Sequence, residues 1–282
     1  MRKFFLENEK GERYSLNNET GIFFDSPTGL GQTMSVVSAD IHKGFFKDIS
    51  GDTEPQSSIA GDLVFTKNAY AVYRTFVNWI NRAKELYLIY SPDGTEYRRK
   101  VIIDYIQKTQ LDSLRWLRCP VSFQCLTPFY KAKATALNMD DTSDAMRYDY
   151  TYDENLRYSA SSIAGMSCEL QGQGHIPSAI SFRCKGYLAF PELTLTGQDT
   201  GYIYGKLKMN LTTGRDQVLS LCSKYGETSV SVDGADALSY VDLSFDPWIR
   251  VPNTEKCALV LSSDDDMSVS VELLMYDYYR TV

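Results

Sequence analysis

Reactive side chains are scarce in this chain of 282 residues. Histidine occurs twice, at His42 and His175, and neither lies in an HExxH pattern or near a nucleophile motif. GMSCE, residues 165–169, lacks the second glycine of the GxSxG nucleophile elbow. The six cysteines, Cys119, Cys125, Cys168, Cys184, Cys222 and Cys257, are scattered with no CxxC pair. That spacing signals neither a zinc site nor a disulfide framework, so reduced and mostly buried thiols are expected. Long apolar runs are missing too: no segment approaches the roughly 18 residues of a membrane span. The opening MRKFFLENEK starts basic, but its apolar run stops at Leu6, short of the roughly 7–15 residues of a signal-peptide core. No export signal is therefore expected, and synthesis in a cytoplasm is.

Excess positive charge is also lacking. The net charge is −7, which argues against strong nucleic-acid binding. Residues 1–140 hold 18 Lys and Arg against 16 Asp and Glu, a balance of +2, whereas residues 141–282 stand at −9. The one dense basic run, Arg98, Arg99 and Lys100, reads as a solvated strand edge, where such charges discourage aggregation.

The carboxylate motifs that remain are incomplete. Asp199-Thr200-Gly201 is the tripeptide that places one catalytic carboxylate of an aspartic protease, but the mechanism needs two and no second copy exists. It reads as a loop between strands. Asp264-Asp265-Asp266 lacks the Dx[DN]x[DN]G spacing that wraps oxygens around calcium and reads as a solvated hairpin tip. DSPTGLGQTM, residues 25–34, has closely spaced glycines but no lysine-hydroxyl pair after them, so it is a structural turn rather than a phosphate loop. Met34, Val36 and Val37 behind it read as a strand. No catalytic, cofactor-binding or metal-ligating residue is assigned, and no cofactor is expected.

What the chain does have is β patterning and tyrosine, 20 residues against 13 phenylalanines and 3 tryptophans. Tyrosine suits half-buried strand faces and interfaces. One amphipathic helix stands out over residues 68–84, with Tyr73, Phe76, Val77 and Ile80 at i, i+3, i+4 and i+7 and Asn68 as its cap. ELYLIYSPDGTEYRRKVIIDYI follows as a hairpin turning at Ser91-Pro92-Asp93-Gly94, and LRWLRCPVSFQCLTPFY gives a second pairing in which Val121, Phe123 and Cys125 alternate. Residues 138–157 are polar, acidic and without period, so they are read as a linker between a first domain at 1–137 and a second at 158–282. Beyond the linker AISFRCKGYLAF, GYIYGKLKMNL, QVLSLCSKY, TSVSVDG, CALVLSS and MSVSVELLMYDYY read as short strands of a β-sandwich. The pattern does not assign the closing MYDYYRTV to either half. The fold class is mainly β with one α-helix.

This order of elements resembles the distal tail proteins of long-tailed bacteriophages and prophages of Gram-positive bacteria. The resemblance is carried by FFLENEKGERYSLN, the PTGLG turn, NAYAVYRTFVNWINRAK and the hairpin after it. In the second half GHIPSAISFRCKGYLAFPELTLT and GRDQVLSLCSKYG are similar to strands of the family's galectin-like β-sandwich. The resemblance implies an N-terminal ring-forming domain, hexameric at the virion tail tip, which joins the tail tube to tail-associated and receptor-binding proteins. It implies a scaffold without a catalytic centre and with no nucleic-acid or membrane partner. Two other readings stand beside it: a carbohydrate-binding module on an assembly domain, contacting host cell-wall saccharide through a ring such as Trp248 in FDPWIRVP, and a hydrolase.

Overall fold

The structure, a computed structural model, describes residues 2–31, 38–41, 45–48, 57–135, 140–141 and 163–282. Most of the linker read at 138–157, the strand read at Met34–Val37, and His42 lie outside the described residues. The chain divides into two compact units, Met1–Lys131 with Tyr279–Val282, and Ala132–Tyr278. The last four residues thus fall with the first unit. There Tyr279 packs edge-on against Tyr97 with ring centroids 5.2 Å apart.

In the first unit an antiparallel sheet runs in the order Ile22–Thr28, Ser58–Phe65, Leu117–Cys125, Tyr97–Ile106, Leu86–Ser91, Lys3–Asn8, Arg13–Ser15. Its two ends meet, because the Phe24 N–H donates to the Leu16 carbonyl at 3.1 Å. The sheet therefore folds over one core, as a β-sandwich does, with alternate residues pointing inward. Phe4, Leu6, Phe24, Ile59, Leu63 and Phe123 fill it. Much of the packing is aromatic and edge-to-face, Phe4 on Phe24 at 5.3 Å and Phe24 on Phe123 at 5.7 Å.

The helix spans Ala69–Arg82 and is the one α-helix among the described residues. Its inward stripe is Ala69, Val72, Tyr73, Phe76, Trp79 and Ile80. Trp79 takes the place that the sequence reading gave to Val77, since the stripe drifts with the 3.6-residue turn and Val77 falls to its side. Asn68 caps the helix differently from expectation as well. It sits in the left-handed region (φ 44°, ψ 46°) without a side-chain cap bond, and its carbonyl accepts from Ala71 and Val72. Asn tolerates that conformation better than most residues, which explains its presence there.

The expected hairpin forms, with Leu86 paired to Val101 and Tyr90 to Tyr97. The basic run inside it is not an edge. Tyr97–Ile106 has neighbours on both sides, and each cation meets a partner. Arg98 reaches Glu7 at 2.5 Å and Lys100 reaches Glu85 at 2.8 Å. Arg99 is buried, donates to the Thr127 carbonyl at 2.6 Å and lies over the Phe129 ring. Charge spacing alone looks solvated; cross-strand carboxylates make an interior position tolerable.

The PTGLG turn is structural. Gly29 has φ +81°, and a Cβ there would stand 2.0 Å from the Ser58 carbonyl oxygen, so glycine is required by both backbone conformation and close approach.

The second unit is a β-sandwich. One sheet carries Ile163–Leu170, the start of Cys257–Tyr279, Glu192–Gly197 and Ile203–Lys208. The other carries the end of Cys257–Tyr279, Ile176–Ala189, Val218–Lys224 and Glu227–Val232. Cys257–Tyr279 pairs with Glu192–Gly197 through Ser262 and with Ile176–Ala189 from Ser268, and between them its register against Ile163–Leu170 jumps from Ser262 to Met267. Asp264-Asp265-Asp266 is therefore the point where one continuous strand changes sheets, and not the tip of a hairpin. A run of charge inside a strand is legible as a turn only until a sheet-to-sheet crossing gives it solvent without a chain reversal. Phe182, Leu195, Leu221, Leu259 and Leu273 meet between the sheets. Five of the six cysteines are buried and all six are free thiols. Burial pushes Cys168 and Cys257 up to about 11 and Cys184 to about 12.

Candidate functional site

Among the described residues, the structure does not bring the reactive residues named above together into a catalytic group. His175 is exposed at the start of the Ile176–Ala189 strand, where its N–H donates to the Tyr278 carbonyl at 2.8 Å. GMSCE lies on the strand Ile163–Leu170 with Ser167 opposite Val260, an extended pairing unlike a strand-to-helix elbow. Among the described residues, no group of three or more His, Cys, Asp and Glu is placed to hold a metal ion, and no helix is long and apolar enough to cross a membrane. Trp248 is partly buried against the core of the second unit, so its ring is occupied by packing.

The Asp199-Thr200-Gly201 loop has a structural partner that the sequence did not suggest. Glu255, 56 residues away, is mostly buried and gathers the loop around its carboxylate. Thr200 donates its hydroxyl at 3.0 Å and its N–H at 3.3 Å, the Asp199 N–H donates at 3.3 Å, and the Tyr204 hydroxyl donates to the same group. The carboxylate is the hub of this loop and the DTG aspartate is peripheral. The Tyr204 hydrogen bond, followed by those from Thr200 and Asp199 and opposed by desolvation, lowers the Glu255 pKa below the ordinary carboxylate value. A lowered folded pKa contributes stability above the unfolded value and loses it as pH falls through the folded one. Glu255→Gln is accordingly expected to lower the second unit's stability near neutrality and to converge with the native chain as pH falls, which flattens the acid limb. Urea midpoints measured between pH 3 and 7 check this.

The features open to partners are apolar surfaces. In the first unit a β-bulge between Ile103 and Tyr105 leaves Asp104 without a register partner. Beyond it Tyr105 stands opposite Ser122 while Ile102 stands opposite Gln124, so both point away from the core. Ile102 is 50% exposed and Tyr105 48%, and Leu126 just past the neighbouring strand is exposed as well. In the second unit the segment 238–245 exposes Leu238, Tyr240, Leu243 and Phe245. Neither surface was identified from sequence, because an apolar residue on an outer face has the same identity as one in a core.

Comparison with known proteins bears on what such surfaces meet. The family model of the distal tail protein N-terminal domain matches residues 3–126. No curated protein matches the chain. Among solved structures, the baseplate of phage P2 in its activated conformation with calcium aligns over 100% of both chains with a TM-score of 0.61 at 12% identity. The corresponding strontium structure aligns over 100% of both at 0.60 and 13%. The crystal structure of the SPP1 Dit protein, described as a paradigm of the hub adsorption apparatus of phages infecting Gram-positive bacteria, aligns over 97% of this chain and 98% of its own at 0.58 and 10%. Residues 3–126 therefore match the distal tail protein N-terminal domain, and the chain over its whole length shares the fold of these phage proteins.

Proposed function

We propose that this chain is a structural component of a phage tail tip, a hub that joins the tail tube to tail-associated and receptor-binding proteins. The observation that carries the reading is the distal tail protein domain at residues 3–126, set in a fold shared with baseplate proteins over the full chain length. The first unit assembles as a closed homo-hexameric ring, and the outer face bearing Ile102 and Tyr105 is a surface available for that contact. The second unit is a galectin-like sandwich that projects partner-binding surfaces, and the two units fold independently. The chain performs no catalysis and takes no cofactor, nucleic acid or membrane. Residues 199–201, the motif that best invited an enzymatic reading, are occupied in holding a loop around Glu255. In the virion the protein sits at the tail tip and takes part in attachment to a Gram-positive host.

Gold-labelled antibody against the chain tests this on purified virions. Label confined to the distal end of the tail is the expected image; label on the capsid, or on host envelope and absent from tails, would overturn the assignment.

A further inference from the structure

We propose that the segment 238–246 of the second unit is a docking ridge for a different protein whose contacting surface is basic around an apolar centre. The proposal rests on the hub reading and names the chemistry of one partner. Of the residues between Ala237 and Pro247, Val241 turns inward to the core, while Leu243 is 69% exposed, Tyr240 51% and Phe245 44%. So many large apolar side chains on one short segment exceed the scattered exposure normal for a surface.

The ridge is held in place rather than loose. It runs along the edge strand Ile203–Lys208, where the Asp242 N–H donates to the Lys208 carbonyl at 2.9 Å and the Lys206 N–H to the Asp246 carbonyl at 3.0 Å. Three aspartates brace the turns: Asp236 accepts from the Leu238 N–H at 3.1 Å, Asp242 from Ser244 at 3.0 Å and Asp246 from Trp248 at 3.0 Å. A preorganised apolar display loses little conformational freedom on binding.

Charge selects the occupant. Residues 233–246, DGADALSYVDLSFD, contain four aspartates and no lysine, arginine or histidine. Two lysines approach from the sheet: Lys206 lies over the Phe245 ring and is paired with Glu192 at 2.6 Å, and Lys208 faces Asp242, which leaves the aspartates in excess. A second copy of the ridge would meet it with like charge, whereas Lys and Arg set around an apolar centre complement it.

The test is pairwise titration of the full chain with each purified tail-tip protein of the same phage. Two variants accompany it. Leu243→Ser with Phe245→Ser removes the apolar display. Asp236→Asn with Asp242→Asn and Asp246→Asn removes charge yet keeps the oxygens that brace the turns. One tail-tip protein is expected to bind the native chain, to lose about tenfold or more in affinity to the apolar variant, and to associate more slowly and with weaker salt dependence with the asparagine variant. Thermal melting of both variants should match the native chain. Equal binding by native and variant chains would overturn the proposal, as would no binding by any tail-tip protein, or a cell-wall polysaccharide as the ligand whose binding the apolar variant loses. Native mass measured on the same samples separates the outcomes: rings without ridge-dependent binding sink the ridge alone, and the absence of rings counts against the hub reading.

Discussion

Replacing Phe76 by alanine is expected to lower the stability of the first unit by about 3–5 kcal/mol, the range for truncating a buried phenylalanine. Phe76 is the most buried side chain of the helix and has no solvent exposure. Its ring meets Tyr14 edge-on at 5.1 Å and Phe65 at 5.9 Å, and it lies parallel to Trp79. Truncation removes the transfer free energy of the ring and opens a cavity lined by aromatic groups that cannot collapse far. The helix covers the sheet through this stripe, so its loosening should also reduce ring formation. Calorimetry is expected to show the transition of the first unit moved down by about 10 °C or more, with that of the second unit unmoved.

Phe182→Ala should have the mirror effect, again about 3–5 kcal/mol. Phe182 sits unexposed on Ile176–Ala189, directly opposite Leu221 on one neighbouring strand and Leu273 on the other. The second transition is expected to fall while the first stays, and ring assembly should persist because the substitution leaves the first unit untouched. A single transition that moves with either substitution would show that the two units fold as one.

The elements with strong local pattern were legible in the sequence. The helix is long enough for its stripe to be counted, and the Ser91–Gly94 turn carries chemistry that few other structures use. Context decided the rest. Val77 and Trp79 differ by two positions on the helix, and only the sheet beneath says which faces it. Arg99 reads as a surface cation because nothing local announces the Thr127 carbonyl and the Phe129 ring that enclose it. Asp264 to Asp266 read as a turn since a strand changing sheets exposes its midpoint as a hairpin tip would. Glu255 carried no signal at all, being tied to residues 199–204 by contacts between strands of one sheet that are distant in sequence.

Native mass spectrometry of the purified chain, across concentrations, tests the hub most directly. A closed ring of six copies of the 31.9 kDa chain is the predicted species. A monomer at every concentration, including in the presence of the tail tube protein, would contradict the account.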